Sequence, residues 1–349
     1  MVSCWSAAHG SVAAAAVTLR VQNPPAQSGA VQFMVMVPVA ADAGGAPVAT
    51  IWTNGAARNL TNGTYDAVAE SVFVTNSDIF VAGYEDNLSG KAVAKVWRNG
   101  SPYQTLSNGS NDAYAMSMTV SNSITYVAGY ENNSQGRPVA TLWTNGTARK
   151  IGDESYQTFA YNVHVSNGSV YVAGEYRRAD GGGHLAVLWV NGELQVLGDG
   201  YNQTTATAVA TANGNVYVAG TEFEASGMQN VMLWTNGSPR RISDGRARAN
   251  AHSIATHNND VYLCGGYQKY SVSGYNFPAY WKNGAVQDLE PALQLTVGGY
   301  ARSIAVSGGS VFAAGVQRSL DNRDYAVVWE NGTATSLASN AEARGVFVR

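Results

Sequence analysis

The sequence predicts an all-β protein, a seven-bladed β-propeller built from four-stranded antiparallel blades. The main observation is a Trp-x-Asn-Gly motif that recurs about every 45 to 48 residues. A Val-Ala-Gly motif or a variant of it precedes six of the seven copies, and an Ala-rich segment of strand-forming residues precedes that. Several short strands per repeat at this period are typical of propeller blades. The seven copies are at Trp52, Trp97, Trp143, Trp189, Trp234, Trp281 and Trp329.

One repeat shows how each strand is predicted. Ala113 to Val120 alternates small and β-branched residues, and "ITYVAGY" follows after a short turn. A loop then leads to "RPVATLW", and Asn145-Gly146 joins this segment to "TARKI". Asn-Gly suits the positive φ angles of a type I′ hairpin turn. Because each Trp lies at the same place before such a hairpin, we expect all seven to pack between neighbouring blades rather than to bind ligands.

The two ends of the chain are predicted to share one blade. The chain ends in a first-strand motif, Ala343 to Val348, with no second strand after it. Near the beginning, "VQFMVMV", "PVATIW" and "AARNL" fit a second, third and fourth strand. A ring closed in this way has no open sheet edge. The segment Ala16 to Asn23 competes for the first-strand place, so residues 1–30 are predicted to be an arm or an extra strand and residues 31–349 the propeller.

Composition and motifs exclude several classes of function. The 349 residues carry a net charge of −3, which predicts no nucleic-acid partner, and no apolar run approaches the ~20 residues of a membrane span. Cys264 replaces an Ala of sister repeats and is predicted to be a small buried residue. Phosphate-binding loops, nucleophile elbows and zinc spacings are absent. We therefore predict no cofactor and no metal, with weak calcium binding at the acidic turns left open.

Length variation is confined to the loops between second and third strands, which share one rim of the propeller. Such loops carry function more often than the scaffold does. Two of them are rich in aromatic or basic residues, and the longest spans Gly266 to Phe277. The candidate ligand-binding residues on these loops are Tyr176, Arg177, Arg178, Tyr267, Tyr270, Tyr275 and Phe277. The alternative is that each loop only packs over its own blade.

A second candidate set lies in the innermost strands, near the channel mouth. One position there differs in every repeat although its neighbours are nearly constant Ala. This position carries Glu70, Met116, Tyr161, Thr207, His252, Arg302 and Arg344. From it we select Glu70, Tyr161, His252, Arg302 and Arg344 as candidate ligand contacts. The alternative is a solvent-facing position that varies freely.

Strings such as "VAGYE" and "ATLWTNGTARK" resemble those of uncharacterised, mostly bacterial extracellular repeat proteins that are predicted propellers. The resemblance covers residues 31–349 and implies a secreted or cell-surface protein, although the N-terminus lacks the basic residues of a signal peptide. We predict a monomeric, non-catalytic binding or scaffold propeller that recognises a glycan or a protein through the variable loops. One alternative is a carbohydrate-active enzyme, a glycosidase or lyase, with its site at the channel mouth. Another is a purely structural surface protein.

Overall fold

The computed structural model describes residues 33–39, 46–53, 55–177, 183–269, 275–292 and 296–348. These residues form 28 β-strands and no α-helix. Accordingly, this part of the chain has no helix that is long and apolar enough to cross a membrane. The segments 1–32, which hold the predicted arm and the competing strand, lie outside the described residues.

The strands fall into seven four-stranded antiparallel sheets. Sheet 1 combines both ends of the chain, in the order β28 (Gly345–Val348), β1 (Phe33–Val39), β2 (Val48–Thr53) and β3 (Ala56–Asn59). Sheets 2 to 4 are β4 (Ala67–Val74), β5 (Ile79–Asp86), β6 (Ala92–Arg98), β7 (Ser101–Thr105); β8 (Ala113–Ser121), β9 (Ile124–Asn132), β10 (Pro138–Thr144), β11 (Thr147–Lys150); and β12 (Gln157–Ser166), β13 (Ser169–Arg177), β14 (His184–Val190), β15 (Glu193–Val196). Sheets 5 to 7 are β16 (Gln203–Ala212), β17 (Asn215–Phe223), β18 (Gln229–Thr235), β19 (Ser238–Arg241); β20 (Ala249–His257), β21 (Asp260–Gln268), β22 (Asn276–Lys282), β23 (Ala285–Asp288); and β24 (Thr296–Ser307), β25 (Ser310–Ser319), β26 (Asp324–Glu330), β27 (Thr333–Ser339).

The first strands of the sheets contact one another in succession. Each of β4, β8, β12, β16, β20, β24 and β28 contacts the next, and β28 returns to β4. We call these seven the inner strands. The all-β class and the four-stranded antiparallel sheets are confirmed, and sheet 1 has the strands that the sequence predicts for it.

The Asn-Gly hairpins form as predicted. In all six described copies both residues have positive φ, for example 48° at Asn145 and 84° at Gly146. The Asn side chain also accepts a hydrogen bond from the start of the second strand, as Asn191 Oδ1 does from the Val170 N–H at 2.9 Å. The motif therefore fixes the hairpin and ties it to the neighbouring turn on the same rim.

Each described inner strand from β4 to β24 contains a β-bulge at the same repeat position. The pairing register shifts between Ala69 and Ser71 in β4, and at equivalent places in the other five strands. The residues in the bulges are Glu70, Met116, Tyr161, Thr207, His252 and Arg302. These are the residues of the variable position that the sequence singles out, and Arg344 directly precedes β28.

The core consists of apolar clusters between neighbouring sheets. Trp143 lies with β5, β6 and β8 residues in one such cluster, and Trp234 lies with β13 and β14 residues in another. Six of the seven repeat tryptophans are buried and Trp52 is partly buried, so their predicted packing role is confirmed. Cys264 is a free, buried cysteine in the cluster that includes Trp329, as predicted.

Candidate functional site

Bulge residues form polar contacts between neighbouring inner strands. The guanidinium of Arg344 donates to the carboxylate of Glu70, and the guanidinium of Arg302 donates to that of Glu342. The hydroxyl of Thr207 donates to the carbonyl of Ala251 at 3.0 Å. A β-bulge turns a side chain out of the normal alternation of a strand, and bulges are frequent beside active sites. We call the residues of the variable position the belt; three of them, Thr207, Arg302 and Arg344, form polar contacts with a neighbouring inner strand or with the segment that leads into one.

Two carboxylates and two guanidinium groups meet in one part of this belt. We call Glu70, Arg302, Glu342 and Arg344 the Glu70 cluster. Arg344 bridges the two acids, since its Nη1 contacts Glu70 and its Nη2 lies 3.3 Å from Glu342 Oε2. Glu342 is also paired with Arg302. Glu342 therefore lies between two cations, whereas Glu70 contacts only one of them.

The environment of Glu70 favours its protonated form. Its side chain is only 8% exposed. Burial raises the pKa of Glu70 to about 7, because removal from water disfavours the carboxylate more than Arg344 stabilises it, and the negative charge of Glu342 acts in the same direction as burial. A carboxyl group that holds its proton near neutral pH can serve as a general acid.

This raised pKa predicts a pH-dependent stability. The folded protein holds the Glu70 proton up to about pH 7, whereas the unfolded chain loses it near the ordinary value of 4.5. The stabilisation is therefore complete below pH 4.5 and lost as the pH rises through 7, a change on the order of 3 kcal/mol. We therefore subtract the unfolding free energy of Glu70→Gln from that of the native protein. This difference should fall by about 3 kcal/mol as the pH rises from 4.5 to above 7.

The difference between the two proteins is the quantity to measure by urea unfolding. His252 titrates in the opposite sense, because burial, with a smaller effect of Arg302, lowers its pKa to about 3. That contribution cancels when the variant is subtracted. A difference that stays constant from pH 4.5 to 7 would show that Glu70 is ionised throughout.

Aromatic side chains lead away from the Glu70 cluster across sheets 2 to 4. Ring centroids are 4.8 Å apart for Tyr84 and Tyr114, 4.9 Å for Tyr114 and Tyr130, and 4.9 Å for Tyr130 and Phe159. We call these four residues the aromatic row. Tyr84 pairs with Val68, two residues before Glu70, and burial, followed by the charge of Glu70, raises the pKa of Tyr84 to about 12. All except Phe159 are half-buried.

The other end of the row reaches a second buried carboxylate. Glu175 is 2% exposed, accepts a hydrogen bond from Arg177 Nε at 2.6 Å and lies 3.4 Å from His184 Nδ1. Arg177 also lies over the ring of Phe159, at 4.5 Å from its centroid. Burial and the adjacent Glu175 raise the pKa of Tyr161 far above its ordinary value. Of the predicted loop residues, Arg177 is thus committed to an internal ion pair.

The predicted residues of the loop from Gly266 to Phe277 mostly contact their own sheet. Tyr267 donates to Asp288 at 2.6 Å, and Lys269 pairs with the same carboxylate at 2.8 Å. Lys269 also lies 5.3 Å from the ring centroid of Phe277. Tyr275 is 46% exposed. Tyr270 and Arg178 lie outside the described residues, so the role of these loops in binding stays a prediction.

A cavity of about 490 Å³ opens beside the belt, between sheets 5 and 6. His252 and Tyr300 line it, and their rings meet edge to face at 5.8 Å. Arg302 lies 5.6 Å from the ring centroid of Tyr300 and so connects the cavity to the Glu70 cluster. The structure therefore brings Glu70, His252, Arg302 and Arg344 into one region.

Sequence reasoning missed several members of this region. Glu342 stands outside the repeated variable position, but it precedes Arg344 by two residues in the last repeat motif, "AEARGVFV". Alternate residues of an extended segment point to the same side, which was a usable signal. Sequence reasoning also missed Arg248 and Asn276, which line the cavity.

No protein-family profile matches the chain, and no curated protein matches it. Among solved structures it resembles puromycin hydrolase, with a TM-score of 0.56, 12% identity, and coverage of 88% of this chain and 52% of that one. A puromycin-hydrolysing peptidase of Mycobacterium tuberculosis gives a TM-score of 0.56 and 11% identity, with coverage of 84% of this chain and 50% of the peptidase. The β-propeller domain of the Trilobed protease from Pyrococcus furiosus gives a TM-score of 0.52 and 12% identity, with coverage of 89% of this chain and 95% of that domain.

These similarities show a β-propeller fold. The chain spans about half the length of the two puromycin-hydrolysing proteins. The prediction of a non-catalytic binding or scaffold propeller is wrong, since the propellers that it resembles belong to hydrolases. The sequence identified Glu70 and Arg344 as separate candidates and gave no indication that the two would pair. The resemblance to bacterial extracellular repeat proteins is supported only as far as the propeller fold.

Proposed function

We propose that this protein is a glycoside hydrolase whose proton donor is Glu70. The observation that carries the proposal is the unequal placement of two neighbouring acids. Glu70 is buried and has a pKa of about 7, whereas Glu342 lies between the guanidinium groups of Arg302 and Arg344. Glycoside hydrolysis needs such a pair, one acid that holds a proton and one carboxylate that stays ionised.

The roles follow from the charges. Protonated Glu70 donates its proton to the glycosidic oxygen as the bond from that oxygen to the anomeric carbon breaks. A water molecule adds to the anomeric carbon, and Glu342 accepts the proton that this water loses. Arg344 contacts both acids and acts as a positioning residue that holds them on one side of the belt.

The aromatic row supports a carbohydrate as substrate. Its half-buried tyrosines, Tyr84, Tyr114 and Tyr130, extend away from Glu70 across sheets 2 and 3. Aromatic side chains offer large apolar area with a polar tip, which suits the apolar faces and hydroxyl groups of sugar rings. The row would hold the chain of sugars on one side of the scissile bond.

The test is a panel of polysaccharides incubated with purified native protein and with Glu70→Gln. We expect release of reducing ends by the native protein and a loss of at least about 100-fold in kcat/KM in the variant, because the amide cannot donate the proton. The control is Glu131→Gln, which removes another ion-paired acid, 18% exposed, that contacts Lys150 at 2.6 Å, away from the cluster. We expect the control to retain full activity.

The pH profile gives a second measure in the same assay. Since Glu70 must be protonated, kcat/KM should decline as the pH rises above about 7. Equal activity of Glu70→Gln and the native protein on a hydrolysed polysaccharide would exclude Glu70 as the donor. Absence of turnover across the panel would reject the glycosidase proposal.

A second candidate is amide hydrolysis. It is favoured by the similarity to two puromycin-hydrolysing proteins over more than four fifths of this chain. Puromycin therefore belongs in the panel, and its cleavage without polysaccharide turnover would favour this candidate.

We also infer that the seven sheets are seven blades of one closed ring, within a single domain of residues 31–349. The closed succession of contacts among the inner strands supports this. The extracellular or cell-surface location stays a prediction, supported by the sequence resemblance described above, and the monomeric state stays a prediction.

A further inference from the structure

Two residues that line the cavity between sheets 5 and 6 each carry a buried polar atom that lacks a partner. In the part of the chain that the structure describes, neither His252 Nε2 nor Asn276 Oδ1 has a hydrogen-bond partner. Both residues line the same cavity. The amide nitrogen of Asn276 is already committed, since it donates to the hydroxyl of Tyr300 at 2.9 Å. Buried polar atoms are nearly always paired, so two unpaired atoms in residues that line one cavity indicate a ligand that hydrogen-bonds there.

The remaining lining defines the chemistry of that ligand. Besides the two aromatic rings of Phe223 and Tyr300, the wall consists mainly of threonine hydroxyls and Asn and Gln amides, and it includes no carboxylate among the described residues. Such groups bind hydroxyl groups as both donors and acceptors. A volume of about 490 Å³ is within the range of small-molecule sites. A compact molecule with several hydroxyl groups and an apolar face fits this wall.

One cation stands at the cavity. Arg248 lines it, is exposed, and forms no ion pair with any residue that the structure describes. An arginine guanidinium binds a carboxylate through two parallel hydrogen bonds. With no acid in the wall to compete, Arg248 is available for a negatively charged group of the ligand.

We propose that this cavity binds a uronic acid residue, with the sugar carboxylate on Arg248 and hydroxyl groups on His252 and Asn276. The proposal rests on the proposed glycosidase function, and it makes acidic polysaccharides the substrate class. The side chain of Arg302 on the ring of Tyr300 joins the cavity to the Glu70 cluster, so a sugar bound here would belong to a chain that continues toward the acid.

The experiment is a titration of full-length protein with D-glucuronate and D-galacturonate, followed by protein NMR or calorimetry. D-glucose, D-galactose and acetate are the comparison probes. We expect at least one uronate to bind about 10-fold or more tightly than its neutral counterpart, and acetate to bind no better than the neutral sugars. Equal binding of uronate and neutral sugar, or of uronate and acetate, would overturn the proposal.

Two matched variants locate the interaction. Arg248→Gln should reduce uronate affinity about 10-fold, to the level of the neutral sugar, while its melting temperature stays that of the native protein. Arg246→Gln changes an exposed arginine two positions away that does not line the cavity, and it should bind uronates as the native protein does. Unchanged uronate affinity in Arg248→Gln would show that the carboxylate binds elsewhere.

A third variant separates this proposal from the proposed function. Glu70→Gln should retain native uronate affinity, because Glu70 does not line the cavity. Uronate binding without any polysaccharide turnover would therefore reject the glycosidase and leave the uronate site. Turnover only of neutral polysaccharides would reject the uronate site and leave the glycosidase.

Discussion

Deletion of Gly345–Arg349 is expected to lower the melting temperature on the order of 10 °C. The deletion removes β28, which is the inner strand of sheet 1 and contacts both β24 and β4. It removes the buried side chain of Val346 and the contact of Phe347 with the ring of Phe73, whose centroids are 5.3 Å apart. Loss of this burial costs roughly 5 kcal/mol, and a domain of this size loses about 2–4 °C per kcal/mol.

The deletion also leaves polar groups unpaired on two neighbouring strands, β1 and β24. The edge of β1 that pairs with β28 becomes open, and Ser303 Oγ loses the N–H of Val346 that donates to it at 3.2 Å. An open sheet edge pairs readily with other chains, so we expect the truncated protein to aggregate more readily on heating. Differential scanning calorimetry together with light scattering measures both effects.

Val346→Ala separates side-chain burial from strand pairing. This substitution removes two buried methyl groups but leaves the backbone of β28 in place, and it should cost only about 2 kcal/mol. The closed ring predicts a much larger loss for the deletion than for the substitution. If the truncated chain melts like the full chain, the inferred closure through β28 is wrong.

The repeat allowed the sheets and turns to be predicted because their determinants are local. Asn145-Gly146 adopts the positive φ angles that its sequence favours, and Trp143 is buried at the position that every copy shares. Local chemistry repeated in each copy fixes the same geometry in each copy. The strands of sheet 1 were predictable for the same reason, since each end of the chain carries part of the repeat.

The site was only partly predictable because its chemistry arises between repeats. Glu70 and Arg344 are separated by 274 positions in the chain and meet only when the inner strands come together. The variable position identified both residues as candidates. It could not show that Glu70 would be buried beside one guanidinium group while Glu342 would lie between two. That asymmetry depends on which inner strands are neighbours.

Gly83→Ala is expected to destabilise the protein by on the order of 3 kcal/mol and to impair the function of Glu70. Gly83 of β5 pairs with Ala69 of β4, beside the bulge that contains Glu70. A Cβ at Gly83 would lie 2.0 Å from the carbonyl oxygen of Val68 and 3.0 Å from Cα of Ala69. Both are backbone atoms, so the inner strand must move. We therefore expect a cost at the upper end of the roughly 1–3 kcal/mol that is typical of overpacking in a core.

The matched control lies in the same sheet. Gly90, between β5 and β6, has a φ of 66°, and a Cβ there would meet nothing within 4 Å. Gly90→Ala therefore adds only the strain of a left-handed alanine, about 1 kcal/mol, and leaves the bulge in place. Urea unfolding of both variants at pH 5 measures the two costs while Glu70 is protonated.

The link between this glycine and the proposed acid can be tested on the same two variants. Movement of the bulge would change the contact of Glu70 with Arg344, so the pH dependence of stability assigned to Glu70 should change in Gly83→Ala and persist in Gly90→Ala. Equal stability losses in the two variants, with unchanged pH dependence in both, would contradict this account. The Val-Ala-Gly motif would then serve only the pairing of strands within the repeat, and the position of Glu70 would be set by Arg344 and Glu342 alone.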